Sequence, residues 1–307
     1  MSIMIVATNK DINPWIESFK AYNPNIDIQI YPHIKNKEDI TFALVWSKSA
    51  INYKEFPNLK CISSMGAGVD HILENTTIPS HIYITKVIDT KLVSSMWEYL
   101  LTAVMNVITN HYKYISFQKQ TLWKPIEINN SIEDTRIAIL GLGQLGATIA
   151  QNFYKMNFIV KGYSSSKKEM QGIKTFTKIE DCIEDAHILI NLLPLTKDTQ
   201  GILNYNLFSS LKKGCYMINV GRGEHLIVED LLQAIKEQII SGATLDVFET
   251  EPLEKESPLW KNENIIITPH SASITNPHSV TQQIMTNYSI IQKEGLPHNI
   301  VDTKKGY

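Results

Sequence analysis

Short apolar runs rich in Ile, Val and Leu recur along the chain, and between them lie stretches whose apolar positions return at helical spacing. That alternation predicts parallel sheets covered by helices on both faces. The early runs predict strands at Ile3–Ala7, Ile26–Tyr31, Ala43–Trp46 and Leu59–Ser64. A later set predicts Arg136–Leu140, Phe158–Tyr163, Ile188–Leu193, Tyr216–Val220, Ala243–Val247 and Ile265–Thr268. Between the sets, Lys91–Trp123 is apolar at helical spacing and free of Gly and Pro until Pro125, so it reads as one or two long helices bridging two sheets. A boundary near residue 100 and a second sheet from Thr135 follow. The last segment, Asn276–Leu296, is helical again. It suggests a chain that leaves one sheet, builds another and returns.

At 307 residues the chain exceeds one ordinary core, which agrees with two domains. Hydrophobic residues at 43% and charged residues at 20% exclude a disordered chain. A net charge of −2 leaves no basic excess to neutralise phosphates, so nucleic acid is not an expected partner. No apolar run approaches the roughly 18–20 residues that span a bilayer, so no membrane is expected either. The first residues lack the basic region and cleavage site of an export signal, and a cytoplasmic location is the expectation. Cys61, Cys182 and Cys215 are too few and too scattered for a disulfide framework or a zinc site. The sequons at Asn75 and Asn129 then read as accidental.

Chemistry enters at one turn. Ala138-Ile139-Leu140 runs into Gly141-Leu142-Gly143-Gln144-Leu145-Gly146 and on into Ala147-Thr148-Ile149-Ala150, a strand, a G-x-G-x-x-G turn and a helix in that order. Gly141 permits the tight turn, Gly143 lets the backbone approach a pyrophosphate, and Gly146 lets helix and strand pack closely. Gln144 and Leu145 open the helix, whose first N–H groups and positive dipole end suit an anion. A dinucleotide site is the reading, against a ligand-free glycine turn. The next strand end, where an NAD site carries Asp or Glu, reads Gly162-Tyr163-Ser164-Ser165-Ser166-Lys167-Lys168. Hydroxyls and two ammonium groups suit the 2′-phosphate of NADP, so NADP is favoured over NAD; the bland alternative is a solvated, lysine-tipped loop.

Three charged residues sit just beyond late strands, where ligands bind in open α/β sheets. Arg222 follows Asn219-Val220-Gly221, Glu251 follows Asp246-Val247-Phe248-Glu249-Thr250, and His270 closes Thr268-Pro269. Singly, each reads as well as a helix-capping charge, a solvated carboxylate or a satisfied loop histidine. Jointly they hold the parts of a carbonyl reductase. Hydride attack on a ketone builds charge on oxygen, so an imidazolium must stand beside it, oriented by a carboxylate. The planar fork of Arg pairs two oxygens of a 2-oxo acid.

The chain resembles the D-2-hydroxyacid dehydrogenase family, and within it the branch that reduces glyoxylate and hydroxypyruvate. The matching segments are Gly66-Ala67-Gly68-Val69-Asp70, the Gly141–Gly146 turn, Asn191-Leu192-Leu193-Pro194 and Asn219-Val220-Gly221-Arg222-Gly223. They continue with Leu245–Pro252, Ser257-Pro258-Leu259-Trp260, Thr268-Pro269-His270 and the tail Val301-Asp302…Gly306-Tyr307. The similarity covers nearly the whole chain, and its motifs arrive in family order.

This resemblance implies a Rossmann-type cofactor domain, residues 101–274, inserted into a flavodoxin-like substrate domain of residues 1–100 and 275–307. It implies His270 as acid/base, Glu251 as its partner and Arg222 as substrate anchor. Asp246 would hold the nicotinamide carboxamide, and Leu193, Pro194, Asn219, Val220 and Gly221 would line the cofactor. Closure of an interdomain cleft would bring the Gly66–Gly68 amides, with Ala67, onto the substrate carboxylate. The family's dimerisation through the long helices fits apolar Leu100–Ile108 and would set Trp123 near the neighbouring subunit's site.

Some details depart from the family or sit beside its motifs. Gly221 stands where the family commonly has Ala, a change expected to be tolerated. Ser271-Ala272-Ser273 follows the histidine where many relatives have Gly two positions after it. Trp46 closes an early strand and is a candidate wall for a small substrate, its alternative being a core aromatic. Met96 and Trp97 precede the long helix on this reading and pack by default. His71 and His225 have no strand-end partner and read as incidental. Two functions therefore compete: NAD(P)H-dependent reduction of glyoxylate, hydroxypyruvate or another 2-keto acid, and a nucleotide-sensing regulator of the same fold. Retention of all three chemical residues favours the enzyme.

Overall fold

The computed structural model describes residues 1–7, 10–46, 50–127 and 131–303. The chain divides into two compact units, Met1–Leu92 with Ile274–Tyr307, and Val93–Ser273. Asn129, Gly306 and Tyr307 lie outside the described residues. Each unit is built on one wholly parallel sheet. Among the described residues no single helix is long and apolar enough to cross a membrane.

In the first unit, β1 (Ser2–Val6), β2 (Ile28–Ile30), β3 (Ile40–Val45), β4 (Cys61–Ser64) and β5 (Tyr83–Thr85) lie in the order β2-β1-β3-β4-β5. Strand residues alternate between two cores because successive side chains leave opposite faces. Ile3, Ile5, Phe42 and Leu44 pack with Trp15 and Phe19 of α1 (Asn13–Tyr22) and with Val280 and Ile284 of a late helix, Pro277–Gln292. Met4, Val6, Ala43, Val45 and Ile62 pack on the other side with Tyr53, Phe56 and Ile72, the last from α2 (Asp70–Leu73).

Between the two sets of strands the chain forms α3 (Thr90–Ile108) and α4 (His111–Lys119). Met96 and Trp97 therefore lie inside α3, not ahead of it. The helical pattern expected to reach Trp123 is broken at Asn110, whose φ of 54° is left-handed, and it ends at Lys119. Asn tolerates that conformation better than most residues because its short side chain bonds locally.

The second unit holds β6 (Arg136–Leu140), β7 (Ile159–Tyr163), β8 (Lys174–Phe176), β9 (Ile188–Asn191), β10 (Cys215–Asn219), β11 (Ile240–Leu245) and β12 (Ile265–Ile267). Their order is β12-β11-β10-β9-β6-β7-β8, so strands are added outward from β6 on one side through β8 and on the other side from β9. One face carries α3 and α5 (Gln144–Lys155): Leu100, Val104, Ile149 and Phe153 close over Ile137, Ile139, Ile188 and Ile218. The other carries α6 (Ile179–Ile183), α7 (Tyr205–Ser209) and α8 (Val228–Lys236), with Ile183, Phe208 and Leu231 over Leu140, Leu189 and Leu245. Burying each such side chain stabilises the unit by roughly 1.5–3 kcal/mol. The late helix is α9 (Pro277–Gln292), capped by Asn276, which accepts from the His278 N–H at 3.0 Å. Asn75 is tied down, its Nδ2 donating to the Ile51 carbonyl at 2.9 Å. All three cysteines are buried and free.

Candidate active site

The glycine turn sits at the carboxyl end of β6, beside the point where strand order reverses, which is where open α/β sheets bind ligands. Gly141 has φ +101°, and a Cβ there would lie 2.6 Å from the Leu192 carbonyl oxygen; one at Gly146 would lie 1.9 Å from that of Gly141. Nothing comes within 4 Å of a Cβ built on Gly143, so the turn opens to a ligand there. Helix α5 starts from Gly143 with no side-chain cap, leaving the amides of Gln144 and Leu145 for an anion. A pyrophosphate fits this cradle.

The loop after β7 is less uniform than its sequence. Ser164 Oγ donates to the Ser166 carbonyl at 2.5 Å, while Ser165, Ser166 and Lys167 are exposed. Lys168 turns back and its Nζ donates to the Leu142 carbonyl. One of the two ammonium groups assigned to a phosphate is thus engaged in bracing the glycine turn.

Arg222, Glu251 and His270 come together beyond β10, β11 and β12. Glu251 Oε2 lies 2.8 Å from His270 Nδ1, and Oε1 accepts from the Phe248 N–H at 3.0 Å; both side chains of the pair are 36% exposed. Burial raises the Glu251 carboxyl, but the His270 bond, the Phe248 amide and the charges of His270 and Arg222 outweigh it and hold the group below its ordinary value. Gly223 makes the approach possible, since a Cβ there would lie 1.9 Å from the Phe248 backbone carbon.

His270 has φ +51°, strained for a residue with a side chain, and the surroundings hold it there. Its N–H donates to the Asp246 carbonyl at 2.8 Å. The Asp246 carboxylate, 1% exposed, accepts from Thr268 Oγ1 (2.6 Å), Ser271 N (2.8 Å) and Ala272 N (3.0 Å). Tyr99 of α3 donates its hydroxyl to Thr268 Oγ1 at 2.6 Å, and burial pushes that phenol up to about 12. Asp246 is therefore a clamp on the histidine loop; Tyr99 and Thr268 back it, and sequence reading assigned neither a role.

One expectation needs correction. His225 is not incidental. It is fully buried, and its Nδ1 accepts from the Arg222 N–H (3.1 Å) and from Nδ2 of Asn191 (2.8 Å), the residue that ends β9. Glycine at 221 fits the packing around it: a Cβ there would lie 2.8 Å from Asn191 Nδ2 and 3.0 Å from His225 Nδ1. The available signal was Asn191 and Asn219 closing adjacent apolar strands, buried amides that need a partner. His71, expected to have no strand-end partner, has its Nε2 3.4 Å from the carbonyl of Val45, the last residue of β3.

Trp46, Ala67 and Gly68 belong to the first unit. Trp46 follows β3, with the Lys10 ammonium 3.2 Å from its ring centroid and its own ring edge 3.5 Å from a Cβ built on Gly66. Ser64 Oγ accepts from the Gly66 N–H (3.1 Å) and donates to the Gly68 carbonyl (2.6 Å), shaping the turn that carries Ala67. A cavity of about 650 Å³ opens elsewhere, at the amino ends of β6, β7 and β8, lined by Arg136, Lys161, Lys174 and Asp185. It lies at the opposite end of those strands from the glycine turn.

Residues 101–272 match the family model described as D-isomer specific 2-hydroxyacid dehydrogenase, NAD binding domain. The glyoxylate/hydroxypyruvate reductase A of Serratia proteamaculans is 37% identical over 87% of both chains. That of Yersinia enterocolitica is 32% identical over 100% of both. Among solved structures, a D-isomer specific 2-hydroxyacid dehydrogenase from Xanthobacter autotrophicus in complex with NADPH and MES superposes with a TM-score of 0.91 at 30% identity, covering 100% of this chain and 99% of that one. An NADPH-dependent glyoxylate/hydroxypyruvate reductase from Sinorhizobium meliloti, in complex with NADP and sulfate, gives 0.91 at 28% identity over 100% of both chains.

Proposed function

This chain belongs to the D-isomer specific 2-hydroxyacid dehydrogenase family, and we propose that it reduces a small 2-oxo acid with NADPH: glyoxylate to glycolate and hydroxypyruvate to D-glycerate. The observation that carries this reading is the His270–Glu251 pair at 2.8 Å, with the Arg222 charge acting on the same carboxylate. The names and cofactors of the relatives support the choice of substrate and of NADP over NAD.

NADPH, when bound, supplies the hydride for the carbonyl carbon. His270 delivers the proton to the carbonyl oxygen; Glu251 holds Nδ1, which assigns that transfer to Nε2. Arg222 pairs the substrate carboxylate and the carbonyl oxygen, anchoring the substrate and orienting one face of the carbonyl. For the cofactor, Gly141, Gly143, Gln144, Leu145 and Gly146 hold the pyrophosphate, and Ser164, Ser165, Ser166 and Lys167 the 2′-phosphate. Leu193, Pro194, Asn219, Val220, Gly221 and Asp246 line the remainder, Asp246 toward the carboxamide.

The protein acts as a homodimer through α3 and α4. The first of these is largely apolar, the second has no buried residue, and Ile115, Leu122 and Trp123 are 47%, 45% and 98% exposed.

The test is a steady-state nicotinamide absorbance assay with glyoxylate, hydroxypyruvate, pyruvate and a branched 2-keto acid, each with NADPH and NADH. Efficient NADPH oxidation with the first two is expected. Folded, nucleotide-binding protein that oxidises neither cofactor with any of the four would overturn the reading, and higher efficiency with NADH would overturn the choice of NADP.

A further inference from the structure

We propose that His225 is a positioning residue for Arg222, and that with Asn191 and Asn219 it holds the substrate anchor in register with the Leu193–Pro194 turn on the neighbouring strand end. The proposal rests on the reading of Arg222 as the anchor of a 2-oxo acid.

The hydrogen bonds leave little choice of arrangement. Asn191 Oδ1 accepts from the Leu193 N–H (3.2 Å), so its Nδ2 faces the other way and donates to Asn219 Oδ1 (2.9 Å) and to His225 Nδ1 (2.8 Å). Because His225 Nδ1 also accepts from the Arg222 N–H (3.1 Å), it carries no proton. The ring proton is on Nε2 and is donated to the Pro194 carbonyl at 3.3 Å. Asn219 Oδ1 accepts in turn from the Gly221 N–H (3.2 Å), and its Nδ2 donates to the Arg222 carbonyl (3.1 Å).

Arg222 is thus gripped at both its main-chain N–H and its main-chain carbonyl by side chains with no exposed surface. Its own guanidinium turns back to the Gly221 carbonyl at 2.8 Å. Two carboxamides and an imidazole buried at the ends of otherwise apolar strands are costly unless fully bonded. Here their bonds converge on one residue and on the Leu193–Pro194 turn. Glycine at 221 is part of the same device, because the network occupies the space where a Cβ would go.

Two near-isosteric variants separate the two sides of the ring. His225→Asn keeps an acceptor where Nδ1 lies and removes the Nε2 donor; His225→Gln keeps a donor where Nε2 lies and removes the Nδ1 acceptor. With glyoxylate, His225→Gln is expected to raise KM about tenfold while changing kcat less than about threefold, as for loss of a hydrogen bond that aims a binding group. His225→Asn should stay within about threefold of the native enzyme, since the hold on Arg222 is kept. In an Arg222→Lys background, His225→Gln should add little, because both changes act on one interaction.

NADPH affinity from fluorescence titration and the thermal midpoint are measured for every variant. Equal kinetic losses in the Gln and Asn variants that follow their thermal midpoints would overturn the proposal in favour of a purely structural histidine. Unchanged kinetics in His225→Gln would overturn it as well. A native protein that turns over no 2-oxo acid would instead sink the functional reading beneath it.

Discussion

The two sheets present their carboxyl ends by different means. In the second unit, buried side chains aim half-buried ones: Asn191, Asn219 and His225 grip the backbone of Arg222, and Asp246 clamps the loop of His270. In the first unit a single buried hydroxyl, Ser64, shapes the Gly66–Gly68 turn, and Trp46 stands beside it with Lys10. Where a side chain must be aimed, the fold uses a web of polar groups. The first unit's turn is held more lightly, by Ser64 at Gly66 and Gly68 and by the Val87 N–H on the Gly66 carbonyl at 3.1 Å.

If that contrast is right, the largest effect belongs to the side chain the second unit aims. His270→Ala should lower turnover with glyoxylate by about a hundredfold or more, the usual loss of a general acid. NADPH affinity should hold, because the glycine turn is untouched. Near-normal turnover in this variant would remove His270 from proton transfer. Arg222→Lys comes next, with kcat/KM expected to fall by at least about tenfold, since an ammonium cannot reproduce the planar two-point contact. The loss should appear chiefly in KM, and unchanged efficiency would separate the web around residue 222 from substrate binding.

Ser64→Ala probes the lighter construction of the first unit. Removing one buried hydroxyl that both donates and accepts should destabilise that unit by about 1–2 kcal/mol, read as a shift in the denaturant midpoint. Its kinetic effect should remain below that of Arg222→Lys. A larger kinetic loss than Arg222→Lys would reverse the comparison and make the first unit's turn the more demanding part.

The same contrast governs what the sequence discloses. Strand β6 is legible to the residue because the apolar run Ile137–Leu140 lies between Arg136 and Gly141. Strand β9 reads two residues too long: Leu192 and Leu193 continue the apolar run, but the Asn191 carboxamide takes the Leu193 N–H and the ladder stops. Strands β5 and β8 escape notice as three-residue edges, one of them Lys174-Thr175-Phe176, whose polarity hides it. The break at Asn110 is silent because apolar spacing runs straight across it.

Among the chemical residues, Glu251 and His270 announce themselves by type and by place beyond a strand. His225, Tyr99 and Thr268 do not, because they act on other side chains and follow no period. A buried Asn at a strand end is the nearest thing to a flag.

The smallest expected effect lies at Lys10, and it tests whether the first unit contains any strongly perturbed charge near Trp46. Burial pushes the Lys10 ammonium down from 10.5 to about 8. Between those values the unfolded chain binds a proton that the folded chain lacks, so Lys10 makes stability rise as pH climbs from about 8 to 10.5. Its contribution is fully present above 10.5 and lost as pH falls through about 8. The effect is modest because the side chain is only half-buried and water screens the charge. Cys61, Cys182 and Cys215 work in the opposite sense: burial pushes each thiol up to about 12, so the unfolded chain loses their protons first and stability falls above 9. The native curve alone therefore mixes two slopes, and the difference between native protein and Lys10→Met isolates one. Denaturant melts at half-unit steps from pH 7 to 11 should show native stability rising relative to Lys10→Met between 8 and 10.5. A difference flat across that window would mean that the ammonium over Trp46 keeps its ordinary affinity for the proton, and that the first unit's strand ends hold no perturbed charge there.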